Sequence, residues 1–107
     1  MTRSQAWRLI AEAYMRRASG EGNRESQQLS KYGLCRAVED AKLYNHGIND
    51  ELAKLMDNEV RTEVRANGGH PYLAPLDWQG AEDEKIENSL NRASLALLFA
   101  EINEVDS

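Results

Sequence analysis

IENSLNRASLALLFAEINEV, residues 86–105, decides the fold class. Ile86, Leu90, Ala93, Leu97 and Ala100 recur at the three- and four-residue spacing of one helix face. No stretch of the chain alternates with period two over enough residues to compete as a strand. Leu95, Leu98, Phe99 and Ile102 widen the apolar face toward its C-terminal half. A face that broad predicts a central helix buried by others, and its other use is dimerisation. The helix is expected to begin near Asp77 or Ala81. Glu82, Asp83, Glu84 and Glu87 then stand where the helix dipole favours negative charge.

Working outward, GGHPYLAPLDWQG (68–80) holds both prolines and one of the two tryptophans. Pro71 and Pro75 bar helix at their own and the preceding positions, so an irregular connection is expected. Tyr72, Leu73, Leu76 and Trp78 are costly to leave in water, which favours a segment folded back over the core, with Asp77 as a cap. The functional alternative is that His70, Tyr72 and Trp78 rim a contact patch or pocket, as aromatics with polar tips do at interfaces. Arg61 and Arg65, four apart on the preceding helix, lead toward this corner and are able to hold a phosphate, a carboxylate or an acidic partner group. Pairing with Asp57, Glu59 or Glu63 is the simpler use of both arginines.

Three helices precede the corner. Ser4 is read as the cap of a first helix to about Ala18, with Trp7, Ile10, Ala11, Tyr14 and Ala18 inside and Arg8, Glu12 and Arg16 outside. SGEGNRES (19–26) reads as a surface loop. A second helix fits Ser26 to Asn45, with Leu34, Ala37, Val38 and Ala41 inward beside Tyr32 and Cys35. Gly33 is its weak point: the helix begins later, near Ser30, or another helix approaches closely at Gly33. Gly47 suits a left-handed stop, and Asn49 caps a third helix from Asp50 to Asn67. That helix turns Ala53, Met56, Val60 and Val64 inward, joined by Leu52 and Leu55. Helices two and three form a tight hairpin. The expectation is an all-α fold, a bundle of about four helices with a proline-containing connection between the third and fourth, in a single domain over 1–107.

The chain has 107 residues and a net charge of -5, 41% of it hydrophobic and 29% charged. These values exclude a disordered chain, and no apolar run suits a membrane span. MTRSQAWRLIAEAYMRR has no uninterrupted apolar core of a signal peptide, so an intracellular location is expected. Residues 1–47 carry eight basic against five acidic residues, and residues 48–107 five against thirteen, so the ends differ in sign. The simple reading is mutual attraction or solvation; the sharper one is a pair of opposed surfaces, one meeting a partner.

Chemistry finds little support. The lone Cys35 cannot form an internal disulfide, and with His46 and His70 it matches no metal-ligand spacing. No phosphate loop, nucleophile elbow or HExxH motif is present. Adjacent acids such as Glu39 and Asp40 point apart on a helix, so general acid–base work is unsupported. Neither catalytic residues, metal nor cofactor are therefore expected. Arg16, Arg17, Arg24, Lys31 and Arg36 form a basic patch, but an acidic chain without a reading helix makes nucleic acid the weakest of the binding hypotheses.

GLCRAV (33–38) and YLAPLDW (72–78), set in a short helical chain, resemble segments of small helical bacteriophage accessory proteins. The resemblance implies action in the bacterial host cytoplasm, with no catalytic residues carried over. By analogy with phage products of this size, it implies a protein that binds and inhibits or modulates a host protein, such as a host-defence component. Leu95, Leu98, Phe99 and Ile102 are the candidate interface, and a small homo-oligomer accompanies this reading. The alternative is a module sequestering a nucleotide-like signal between Arg61, Arg65, Tyr72 and Trp78.

Overall fold

A computed structural model of the chain describes residues 1–21, 24–29, 33–45, 47–66 and 86–105. Over these residues the protein is an all-α bundle: α1 (Arg3–Ser19), α2 (Arg24–Gln27), α3 (Leu34–Tyr44), α4 (Asp50–Ala66) and α5 (Ile86–Val105), with no strand among them. The connection at 68–80, with His70, Tyr72 and Trp78, lies outside the described residues, as do Tyr32 and the acids at 82–84.

Thr2 starts α1 in place of Ser4. Its hydroxyl accepts from Gln5 N at 3.1 Å, and Gln5 Oε1 accepts from Thr2 N at 2.9 Å, a capping box that satisfies two otherwise orphaned donors. Ser4 is buried, and its hydroxyl donates across to the Ala100 carbonyl of α5 at 2.9 Å. A side chain as short as serine reaches a neighbouring backbone only where two helices lie close together. Gly20, at φ 80°, closes α1 in the left-handed conformation.

The expected second helix is interrupted. The residues read as a surface loop contain the start of α2, and Ser26 is fully buried. α3 starts directly after Gly33, whose φ of 134° and ψ of 174° belong to a region that favours glycine and is foreign to helix. Gly33 is thus the N-cap of α3, which starts at Leu34, four residues later than the start near Ser30 that the sequence offered.

The stop between α3 and α4 uses different chemistry from the left-handed glycine expected. Asn45 caps α3 in extended conformation, its side-chain carbonyl accepts from Gly47 N at 2.9 Å, and Ile48 N returns to Asn45 O at 3.1 Å. Gly47 does not have positive φ. The asparagine side chain makes the turn that a left-handed glycine otherwise supplies. Asn49 then caps α4 as expected, accepting from Leu52 N at 2.8 Å.

α1 and α5 form the principal pair, and α3 and α4 form the hairpin; α1 also touches α2, α3 and α4. Residue pairings make the first pair antiparallel: Ser4 meets Ala100, Trp7 stacks on Phe99 at 5.0 Å between ring centres, and the Arg92 guanidinium lies 5.9 Å from the Tyr14 ring centre. Lys42 Nζ lies 3.0 Å from the carboxylate of Glu39 on its own helix and, across the hairpin, 3.0 Å from that of Asp50. These two contacts, Glu39 first, raise the lysine pKa above its ordinary value. The core centres on Trp7, Ile10, Tyr14, Leu34, Val38, Ile48, Met56 and Val60, with Cys35 packed as a small apolar residue. Among the described residues these side chains belong to one buried cluster shared by α1, α3, α4 and α5.

The buried face of α5 differs from the stripe read in the sequence. Ser89, Arg92, Ala93, Ala96, Phe99, Ala100 and Asn103 face inward, whereas Leu90 is half-exposed and Leu97 only partly buried. Leu55 of α4 is likewise exposed instead of inward. Among the described residues α5 packs chiefly on α1 and meets the hairpin at α4 through Asn103 and Glu59. Three alanines explain the choice, because a close helix pair needs small residues at the contact.

Candidate functional site

Glu59 draws three helices together. On α4, its Oε1 accepts from Trp7 Nε1 of α1 at 3.2 Å, and its Oε2 accepts from Asn103 Nδ2 of α5 at 2.7 Å. Asn103, 7% exposed, also donates to its own helix at Phe99 O, 2.8 Å away. The Glu59 side chain is 17% exposed, so its charge sits in a poorly solvated place and depends on those donors. Arg3 is the third partner, with Nη1 at 3.4 Å from Oε1.

Glu59 and Arg3 line a groove of about 290 Å³ between α4 and α5. Glu59 and Glu63, one turn apart on α4, supply its carboxylates and Arg3 of α1 a guanidinium, while Leu55 of α4 and Phe99 and Ile102 of α5 supply its apolar lining. Phe99 is nearly buried, at 5%, because its ring stacks on Trp7. Leu55 at 44%, Leu98 at 50% and Ile102 at 50% remain in water. Leu95, Leu98 and Ile102 are three and four residues apart and share a flank of α5, with Leu95 partly buried against the core. Of the four residues read as an interface, Phe99 and Ile102 line the groove, Leu98 is exposed next to Phe99 in the chain, and Leu95 is partly buried against the core.

The arginines lie elsewhere. Arg61 Nε donates to Asp57 Oδ2 at 2.7 Å, the simpler pairing anticipated for it, and helical spacing puts it on the far side of α4 from Glu59. Arg65 is exposed near the end of α4. Their relation to His70, Tyr72 and Trp78 falls outside the described residues.

In the sequence Glu59 stands only as a partner for the arginines and Ser4 only as a cap, and no motif there singles out Asn103 or Arg92. The available signal was the run Ser89, Arg92, Ala96, Phe99 and Asn103, which keeps three- and four-residue spacing as well as the leucine stripe does. Only the presence of α1 chooses between the two. Among the described residues no three histidines, cysteines or carboxylates gather as a metal site, and no helix is long and apolar enough to cross a membrane.

No family model, curated protein or solved structure matches the chain.

Proposed function

We propose that this helical bundle is a non-enzymatic interaction protein that docks a bacterial host protein along the α4–α5 groove and modulates or inhibits it. The observation that carries the reading is the half-exposed set Leu55, Leu98 and Ile102 beside that groove. The phage-type resemblance of GLCRAV and YLAPLDW supplies the host context and the cytoplasmic setting of the proposal, and a host-defence component is the partner it suggests.

Magnitudes limit how such docking works. Completing the burial of each half-exposed aliphatic side chain contributes about 1 kcal/mol, so the three add about 3 kcal/mol. Association costs about 4 kcal/mol or more in lost freedom. The apolar flank alone is therefore too small, and the polar side of the groove has to contribute to affinity and specificity.

The test uses the immobilised chain with bacterial lysate, followed by titration calorimetry and an activity assay on the purified captured protein. Wild type is expected to bind it and change its activity, with Leu98→Asp and Ile102→Asp weakening binding at least tenfold while thermal stability stays close to wild type. Equal binding by both variants removes the groove from the reading. Light scattering distinguishes a second copy as occupant, since self-association then falls with the same substitutions.

A further inference from the structure

The polar side of the groove specifies the partner's chemistry, an inference that rests on the docking reading above. Two buried donors on different helices, Trp7 Nε1 and Asn103 Nδ2, orient the Glu59 carboxylate. A carboxylate offers about four lone-pair sites, so it retains accepting capacity beyond those two bonds. Arg3 sits beside it, yet at 3.4 Å the contact is longer than the about 2.7–2.9 Å of a strong charge-assisted hydrogen bond. Arg3 is 38% exposed and is the first residue of α1, where the helix dipole opposes positive charge. Its hold on Glu59 is that of a weak, replaceable ion pair.

Charge complementarity selects the occupant. Among the described residues, the groove lining has two carboxylates, Glu59 and Glu63, and one guanidinium, that of Arg3, in a chain whose net charge is -5. Phe99 and Ile102 offer an apolar wall along which an alkyl stem can lie while its cationic head reaches Glu59. We infer that the groove receives a basic amphipathic helix of the partner protein, one of whose arginines displaces Arg3 and pairs with Glu59. Arginine suits the site better than lysine because its planar fork can engage a carboxylate whose orientation is set. The partner's apolar residues, spaced as on one helix face, then cover Leu55 and Ile102.

The probe is n-hexylguanidinium, with neutral n-hexylurea as its isostere, titrated into the full chain and followed by NMR at the Trp7 indole N–H. Trp78→Phe assigns that resonance. Hexylguanidinium is expected to shift it saturably, and hexylurea is not. Arg3→Ala should tighten the apparent Kd about two- to fivefold, the opposite of what structural damage produces. Glu59→Gln should weaken it about tenfold or more. Should Glu59→Gln fail to fold, Glu63→Gln is expected to weaken binding in the same direction. Equal shifts with hexylurea, no saturable shift, or an unchanged Kd in Arg3→Ala overturn the inference. The docking proposal fails separately: guanidinium binding that persists while no host protein is captured sinks docking alone. Capture that Leu98→Asp abolishes and Glu59→Gln leaves untouched retains docking and removes the arginine.

Discussion

Replacing Asn103 by alanine removes the donor that holds Glu59 from the α5 side. The lost bond, 2.7 Å to a carboxylate oxygen, belongs to the charged class whose removal costs about 1.5–3 kcal/mol. The second bond, to Phe99 O, adds little, because in a helix that carbonyl also accepts from the backbone N–H four residues on. Alanine returns about 0.6 kcal/mol through its better helix propensity. The expected net loss is about 2 kcal/mol. With an unfolding entropy of about 2.1 cal/mol/K per residue, this lowers the Tm of a 107-residue chain by about 9 °C. Urea unfolding followed by circular dichroism measures it, and the decisive experiment is a double-mutant cycle with Glu59→Ala. In that background the cost of Asn103→Ala should fall below about 0.5 kcal/mol, giving a coupling of about 1.5 kcal/mol. Effects that add within about 0.4 kcal/mol would refute the reasoning, since the two side chains would then not share their stabilisation. The oriented carboxylate on which arginine binding depends would be lost with it.

Other outcomes follow from single positions. Gly33→Ala should cost about 1–3 kcal/mol, because its φ of 134° is foreign to residues with a Cβ; Gly20→Ala, at φ 80°, should cost about 1 kcal/mol, and urea midpoints rank the two. Thr2→Ala opens the capping box and should cost about 1 kcal/mol, read from the same curves. Lys42 has a folded-state pKa above its ordinary value through Glu39 and then Asp50. Its stabilisation is therefore present below the ordinary lysine pKa of 10.5 and lost as pH rises through the raised value. The stability gap between wild type and Lys42→Gln should be open at pH 8 and close above that raised pKa, as urea titrations at each pH will show.

Much of the architecture is legible in residue spacing. Trp7, Ile10, Ala11 and Tyr14 at helical intervals place the inner face of α1, and Asn49 before Asp50 marks the start of α4, because caps and amphipathic stripes are local chemistry. Thr2 and Ser4 are both good caps two residues apart; what decides between them is that Ser4 meets the Ala100 carbonyl of a helix distant in the chain. The groove was half legible. The apolar residues Leu98, Phe99 and Ile102 stand out along the chain, whereas Glu59 gains its meaning only from Trp7 and Asn103, 52 and 44 residues away.

Helical periodicity, the hairpin between α3 and α4 and the excess of acid are properties of the chain read in order, since each depends on neighbours within a few residues. Which side of α5 is buried depends on a distant surface. Leu95 to Phe99 wrap that helix with apolar groups, so more than one rotation hides hydrophobic residues. Close packing against α1 favours the small residues Ala93, Ala96 and Ala100, and that rotation leaves Leu98 and Ile102 in water beside Glu59.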